Sequence, residues 1–196
     1  MLTDLPCPKA NFSKAELSGA KLCGATLTET SFVEAVVRNA DFTKADLSGA
    51  VLQGADLTAA DLSGADLTGT KFAGALNLRA ATFDNLRGAI LDGLDLTGVD
   101  LGGKDLSGAD LTRARFAGAL FNDPVQATNA NVSAFPSGKR SSVQPGSIVF
   151  AAGFILRVSG DHPSSADHTC YRSHAGSWDA GTKQGYFWKD QIRLLS

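Results

Sequence analysis

Two histidines and a cysteine near the C-terminus have the spacing closest to that of a metal site. His168 and His174 flank Cys170 in the pattern H-x-C-x3-H. Such a group can supply three zinc ligands, and Asp161 or Asp167 could complete the four that zinc prefers. However, the spacing matches no established zinc pattern, and the surrounding residues have the polar composition of an exposed loop. We therefore expect no bound metal, and these three residues remain weak candidates only.

The chain offers no better constellation for catalysis. Cys170 and His174 could form a nucleophile and its base, but nothing nearby is suited to orient the base. The glycines recur at five-residue intervals and do not form a phosphate-binding loop. We predict no catalytic residue, no cofactor-binding residue and no cofactor, and hence not an enzyme. The alternative is a C-terminal segment with its own metal-binding or enzymatic activity.

The strongest pattern in the chain is a five-residue ladder of large apolar side chains. Two residues before each of them stands alanine, except at Thr30 and Thr70. A helix would scatter positions five apart around its cylinder, and a flat strand would place them on alternating faces. The thirteen apolar positions are Phe12, Leu17, Leu22, Leu27, Phe32, Val37, Phe42, Leu47, Leu52, Leu57, Leu62, Leu67 and Phe72.

A chain that turns a corner every five residues explains this ladder. Each short side would point its Leu or Phe, and the Ala two residues before, into the core. The other three residues would face solvent, and Asp, Ser, Thr and Gly there suit tight turns. Successive coils would stack about 4.8 Å apart through backbone hydrogen bonds. The fold class is therefore all-β, a solenoid.

The ladder and its Ala-Asp-Leu triplets resemble the pentapeptide-repeat family, whose motif is A(D/N)LXX. The resemblance covers Ala10 to about Asp123. It implies a right-handed, four-sided β-helix with four pentapeptides per coil, here about five coils. It also implies that four inward residues stack on one face: Phe12, Phe32, Leu52 and Phe72. The carboxylate pairs Asp41–Asp61 and Asp46–Asp66 and the ion pair Asp95–Arg115 should stack in the same way. We expect these Asp side chains to bond locally in turns and to form no catalytic site.

The ladder slips once, between residues 75 and 88. Phe72 and Leu91 are nineteen residues apart instead of twenty, which predicts a bulge or a loop projecting from one corner. We expect Phe83 with Ala81 to form one inward pair, and Leu86 with Asp84 another. Beyond the slip, Leu94, Val99 and Lys104 occupy inward alanine positions. A buried lysine without a partner is rare, so Lys104 predicts a local distortion or a side chain that escapes to solvent.

The composition limits the cellular compartments and the kinds of partner that we expect. Residues 1–123 carry 16 acidic and 11 basic side chains, and the remainder carries 4 and 7. Neither balance indicates direct binding of nucleic acid or of an anionic membrane.

Three scattered cysteines match no disulfide framework and, with no recognisable signal sequence, favour the cytoplasm. Cys23 follows an inward residue and should be exposed. The apolar run 148–158 is too short to span a bilayer.

These features divide the chain into four parts. We predict an N-terminal cap at 1–9 and the β-helix at 10–123 with its break at 75–88. A linker follows at 124–146, and 147–196 forms a small irregular β-containing segment that could cap the open end. Such a cap would cover the apolar cross-section and unpaired backbone of the last coil.

A regular solenoid without a catalytic constellation favours a non-enzymatic scaffold or binding protein. Its flat faces would contact a macromolecule, most simply another protein, and a homodimer is a further option. A specific alternative comes from the family resemblance. Quinolone-resistance pentapeptide proteins mimic DNA and bind a type II topoisomerase, gyrase, and the repeat here is likewise acidic.

Overall fold

Coils of about twenty residues build the described part of residues 6–132. The computed structural model describes residues 6–117, 119–120 and 125–132, together with five further strands given below. Isolated parallel β-bridges join Asn11 to Ser31, Ser31 to Val51 and Val51 to Lys71, each twenty residues on. One coil therefore has four sides of five residues, as the family resemblance implied. No α-helix occurs in the described residues.

Each corner is a four-residue turn that begins at an inward Leu or Phe. At the first complete one, the N–H of Ala15 donates to the carbonyl of Phe12 at 3.0 Å. The third residue of the turn has a positive φ, for example 60° at Lys14 and 70° at Gly19. Glycine adopts this conformation without strain, which explains why glycine recurs at this place in the repeat.

Backbone hydrogen bonds between coils run in both directions. The N–H of Phe12 donates to the carbonyl of Ser31 in the next coil at 2.7 Å, and the N–H of Ser31 donates to the carbonyl of Ala10 in the coil below at 2.9 Å. The same spacing recurs along the regular part of the ladder. The polar backbone is thereby satisfied although each side is very short.

The core is a column of stacked apolar side chains. Phe32, Leu52 and Phe72 have no exposed surface, and the alanines two residues before the inward Leu and Phe side chains are buried along most of the ladder. The rings of Phe12 and Phe32 stack with centroids 5.5 Å apart. Leu94 and Val99 are buried, as predicted for their inward positions.

We name the four sides by their inward residues. Face 1 contains Phe12, Phe32, Leu52, Phe72, Leu91 and Leu111. Face 2 contains Leu17, Val37, Leu57, Leu96 and Phe116. Face 3 contains Leu22, Phe42, Leu62, Phe83 and Leu101. Face 4 contains Leu27, Leu47, Leu67, Leu86 and Leu106.

The register break is one inserted residue followed by a deletion of two. The bridge from Asp61 reaches Thr82, twenty-one residues on, because a 3₁₀ turn at Leu78–Ala80 lengthens the preceding side. The next side is short, and the bridge from Lys71 reaches residue 90, nineteen residues on. Phe83 and Leu86 are both buried. The prediction that Asp84 faces inward was wrong: Asp84 is exposed, because only two residues separate Phe83 from Leu86.

The C-terminal strands form two sheets. Their order in the larger one is β1 (Val125–Gln126), β3 (Phe154–Arg157), β2 (Ile148–Ala151) and β6 (Ile192–Leu194), all antiparallel. The smaller sheet pairs β4 (Thr169–Tyr171) with β5 (Gly185–Phe187). Gln126 also bridges Asp105 in the coil below, so β1 belongs both to the β-helix and to the larger sheet.

Candidate functional site

The outward aspartates are fixed by the turns that they begin. In Asp61, Oδ1 accepts the N–H of Ser63 at 3.0 Å and its hydroxyl at 2.6 Å. The same two bonds form at Asp41, Asp46, Asp56 and Asp110. The predicted local role is confirmed, and a carboxylate held this way through one oxygen can present the other to a partner.

Ion pairs between neighbouring coils neutralise most carboxylates on faces 1 and 2. Asp95 pairs with Arg115, as predicted, and Asp92 pairs with Arg113. The hydrogen bond from Arg113 lowers the pKa of Asp92. The six pairs of the described residues are Lys9–Glu29, Lys14–Glu34, Lys21–Asp41, Arg38–Asp56, Asp92–Arg113 and Asp95–Arg115. Of these, Lys21–Asp41 lies on face 3, and Lys9–Glu29 lies at the corner that follows face 4.

Asp56 is the most enclosed of these carboxylates, with 10% of its side chain exposed. It accepts hydrogen bonds from Thr58, from Arg38 at 2.6 Å and from the Asn77 side chain at 3.0 Å. The Thr58 hydroxyl is the largest cause that lowers the pKa of Asp56, and Asn77 and Arg38 add to it against the opposing effect of burial. Because Asn77 precedes the 3₁₀ turn, this cluster ties the register break to the coil below.

Faces 3 and 4 carry six carboxylates that form no ion pair within the described residues. Two cations on the same faces, Lys44 and Arg87, are likewise outside the ion pairs of that part of the chain. We call these six the carboxylate surface. They are Asp46, Asp61, Asp66, Asp84, Asp100 and Asp105.

At the register break, two side chains bond to backbone groups that lack their regular partners. In regular coils the N–H of a turn residue donates to a carbonyl nineteen residues on, as Lys44 does to Ser63 at 2.9 Å. Gly64 instead donates to the Asp84 carboxylate at 2.7 Å. In a regular side the carbonyl of the inward residue accepts the N–H three residues later, as that of Phe42 does from Ala45. The Phe83 carbonyl instead accepts the Lys104 ammonium at 2.7 Å. Lys104 also lies 4.8 Å from the centre of the Phe83 ring. Its side chain is half-buried and bonded, so it does not escape to solvent.

Arg87 separates two grooves on face 4, next to the break. The larger has a volume of about 530 Å³ and is lined by Asp66 and Thr68. The smaller, of about 380 Å³, is lined by Gln126 and Thr128. Arg87, Ser107 and Gly108 line both. Both grooves are shallow, with mixed polar and apolar linings, which suits contact with another macromolecule better than enclosure of a small substrate.

Ser107 departs from the turn pattern beside these grooves. Its N–H donates to Asp105 at 2.7 Å, but its buried hydroxyl has no hydrogen-bond partner within the described residues. The hydroxyls of Ser48 and Ser63, at equivalent places, donate to the preceding aspartate. The Ser107 hydroxyl, which lacks this bond, lies in the coil directly above that of Arg87.

The predicted metal candidates are not tested by these contacts. Cys170 lies on β4, where only the backbone is described, and His168 and His174 fall outside the described residues. Within the described part of the chain, no group of His, Cys, Asp and Glu could hold a metal ion. Cys23 is half-buried instead of exposed, with a free thiol. None of the described helical segments is long and apolar enough to cross a membrane.

The family model for pentapeptide repeats matches the chain in eight copies, at residues 10–49, 45–85 and 89–123. These matches cover more than half of the sequence. The chain belongs to the pentapeptide-repeat family. Proteins of this family fold as right-handed β-helices and are generally non-enzymatic structural or binding proteins. The fold expected from the sequence is therefore confirmed at this level.

Solved structures of three pentapeptide repeat proteins resemble the chain. One from the thylakoid lumen of Arabidopsis thaliana is 30% identical, with a TM-score of 0.39, over 58% of this chain and 65% of that one. HetL, involved in heterocyst differentiation regulation in Nostoc sp. strain PCC 7120, is 28% identical, with a TM-score of 0.43, over 62% and 65%. QnrB1, a plasmid-mediated fluoroquinolone resistance protein, is 19% identical, with a TM-score of 0.34, over 69% and 66%.

The chain thus spans just under two thirds of the length of these three structures. No curated protein matches the sequence significantly.

Proposed function

We propose that this pentapeptide repeat protein is a non-enzymatic binding protein whose faces 3 and 4 dock against a basic protein surface. The observation that supports this is the unequal pairing of carboxylates. Faces 1 and 2 neutralise most of theirs through Arg38, Arg113 and Arg115. The carboxylate surface on faces 3 and 4 keeps its charge available for a partner.

A stacked β-helix suits this role because the charges are held in place before binding. Oδ1 of Asp46, Asp61, Asp66 and Asp105 accepts the N–H two residues later. Little side-chain freedom is then lost on docking, and that loss is a main cost of association. Complementary charge also raises the rate of encounter and helps to select the partner.

The test is a pull-down with the full chain in which two pairs of carboxylates are compared. Asp46→Asn with Asp66→Asn removes two charges from face 4, and Asp92→Asn with Asp95→Asn removes two charges from faces 1 and 2. Asparagine already fills the same turn position at Asn11 and Asn85, where its side-chain oxygen accepts the same N–H. We expect the first double variant to lose the captured protein and the second to retain it. Equal capture by both would reject the proposal.

A DNA-mimic role is the second candidate, and unpaired carboxylates on two adjacent faces favour it. DNA-binding proteins present basic surfaces to a regularly spaced polyanion. Here the partner would be a type II topoisomerase. Purified gyrase in a supercoiling assay gives a direct test: the protein should inhibit the enzyme or protect it from quinolone, and Asp46→Asn with Asp66→Asn should weaken either effect. An unchanged assay at a large excess of the protein would remove this candidate.

A further inference from the structure

The carboxylate surface is divided by the coil that contains the register break. In this coil the residue on face 3 is Thr82, which bridges Asp61 in the coil below, and the residue on face 4 is Asn85, which bridges Asp105 in the coil above. Both places hold aspartate in the neighbouring coils. Below the break lie Asp46, Asp61 and Asp66, and above it lie Asp100 and Asp105. Asp84 lies in the coil of the break itself, where its carboxylate accepts the N–H of Gly64.

A cation, Arg87, lies in the coil that divides the carboxylate surface. The places equivalent to Arg87 hold Thr68 in the coil below and Ser107 in the coil above, both short. Arg87 therefore lies among shorter neighbours, with one groove on either side. It forms no ion pair with the described residues, whereas Arg38, Arg113 and Arg115 each do.

On faces 3 and 4, the other charged side chains at the break each bond to a backbone group. The Asp84 carboxylate accepts the N–H of Gly64, and the Lys104 ammonium donates to the Phe83 carbonyl. Lys44, which also forms no ion pair within the described residues, lies in a lower coil at the corner between faces 3 and 4, two residues before Asp46. Arg87 is therefore the exposed cation that an incoming partner would meet on faces 3 and 4 at the break.

We infer that the partner surface is bipartite, with two basic clusters separated by a carboxylate that faces Arg87. The clusters would be about 10 Å apart, since Asp66 and Asp105 are two coils apart at roughly 4.8 Å per coil. A uniformly basic surface would place a cation against Arg87, and such like-charge contacts are a common means of rejecting wrong partners. The inference rests on the proposed function and specifies the chemistry of its partner.

Two synthetic heptapeptides can serve as probes of this arrangement. One has three lysines on each side of a central glutamate, and the other has glutamine at the centre. Binding of each to the full chain would be measured by calorimetry at low ionic strength, where exposed charges interact most strongly. The quantity of interest is the ratio of the two dissociation constants, because it cancels general attraction to lysine.

Arg87→Ser is the informative variant, since serine occupies the equivalent place at Ser48 and Ser107. We expect Arg87→Ser to reduce the affinity for the glutamate peptide about threefold relative to the glutamine peptide, because an exposed ion pair contributes about this much. Lys44→Asn is the matched control on the same surface, because asparagine tolerates a positive φ at Asn39 and Asn129. It should strengthen the binding of both peptides and leave the ratio unchanged.

The outcomes separate the two ideas. If both peptides bind and Asp46→Asn with Asp66→Asn weakens them, but Arg87→Ser leaves the ratio unchanged, the bipartite inference is wrong and the proposed function stands. If neither peptide binds, or if that double variant has no effect, the proposed function itself fails. A threefold change of the ratio in Arg87→Ser, absent in Lys44→Asn, supports the inference.

Discussion

Residues 6–72 and residues 73–132 are built from the same five-residue unit but join their coils by different means. In the first region, backbone groups bond between coils in an unbroken ladder. In the second, two side chains take the place of backbone partners at the register break: the Asp84 carboxylate accepts the N–H of Gly64, and the Lys104 ammonium donates to the Phe83 carbonyl. The comparison shows that a solenoid tolerates a slipped side when side chains can satisfy the backbone groups that the slip separates.

The largest difference between the two regions should appear in their cores. Phe32→Ala should lower the free energy of unfolding by about 3–5 kcal/mol, because a fully buried ring leaves a cavity that stacked coils cannot close. Phe83→Ala, at the break, should cost less, since the adjacent short side can collapse more readily. Urea unfolding of both variants measures this. Equal losses would show that the break is as rigidly packed as the regular coils.

A substitution of Lys104 tests whether side-chain hydrogen bonds hold the coils together at the break. Lys104→Met keeps most of the apolar stem but leaves the Phe83 carbonyl without its donor. We expect a loss of about 1–2 kcal/mol, the cost of an unsatisfied, partly buried polar group. Lys71→Met, an exposed lysine on face 1, is the control and should change stability by less than about 0.5 kcal/mol. Equal effects of the two substitutions would contradict the assigned role of Lys104.

Asp56 joins the two regions, and its contribution should depend on pH. The pKa of its carboxyl lies below the ordinary value. A group with a lowered folded-state pKa stabilises the fold above its unfolded pKa, and this is lost as the pH falls through the folded value. At pH 7, Asp56→Asn should cost about 1–2 kcal/mol by weakening the bond from Arg38. The wild type should then lose more stability than the variant below about pH 4. Parallel pH profiles would contradict this.

The sequence predicts the regular region closely because a five-residue period directly states which side chains face inward. It also predicts contacts between residues twenty apart, such as Asp95 with Arg115. It fails at Asp84, because a period does not encode the short side between Phe83 and Leu86. For Lys104 it predicts a local distortion but not the Phe83 carbonyl that binds the ammonium. A signal for Arg87 was present: the residues nineteen before and twenty after it are Thr68 and Ser107, neither of which could neutralise it.

The smallest expected effect concerns the two threonines that replace inward alanine. Thr70 is fully buried, and its hydroxyl donates to the Leu47 carbonyl in the coil below at 2.8 Å. Thr30 makes the equivalent bond to Cys7 at 2.9 Å. Thr70→Ala restores the residue that this position usually holds, so little strain or repacking follows. The loss should be about 1 kcal/mol, the net value of one hydrogen bond.

Thr70 lies at the upper end of the regular region, just before the break, whereas Thr30 lies well below it. If the break loosens the coils beside it, Thr70→Ala should also speed amide hydrogen exchange in residues 67–91, while Thr30→Ala should leave that segment unchanged. Hydrogen exchange followed by mass spectrometry distinguishes these outcomes. Similar exchange in both variants would mean that Asp84 and Lys104 hold the interrupted region as firmly as the backbone ladder holds the regular one.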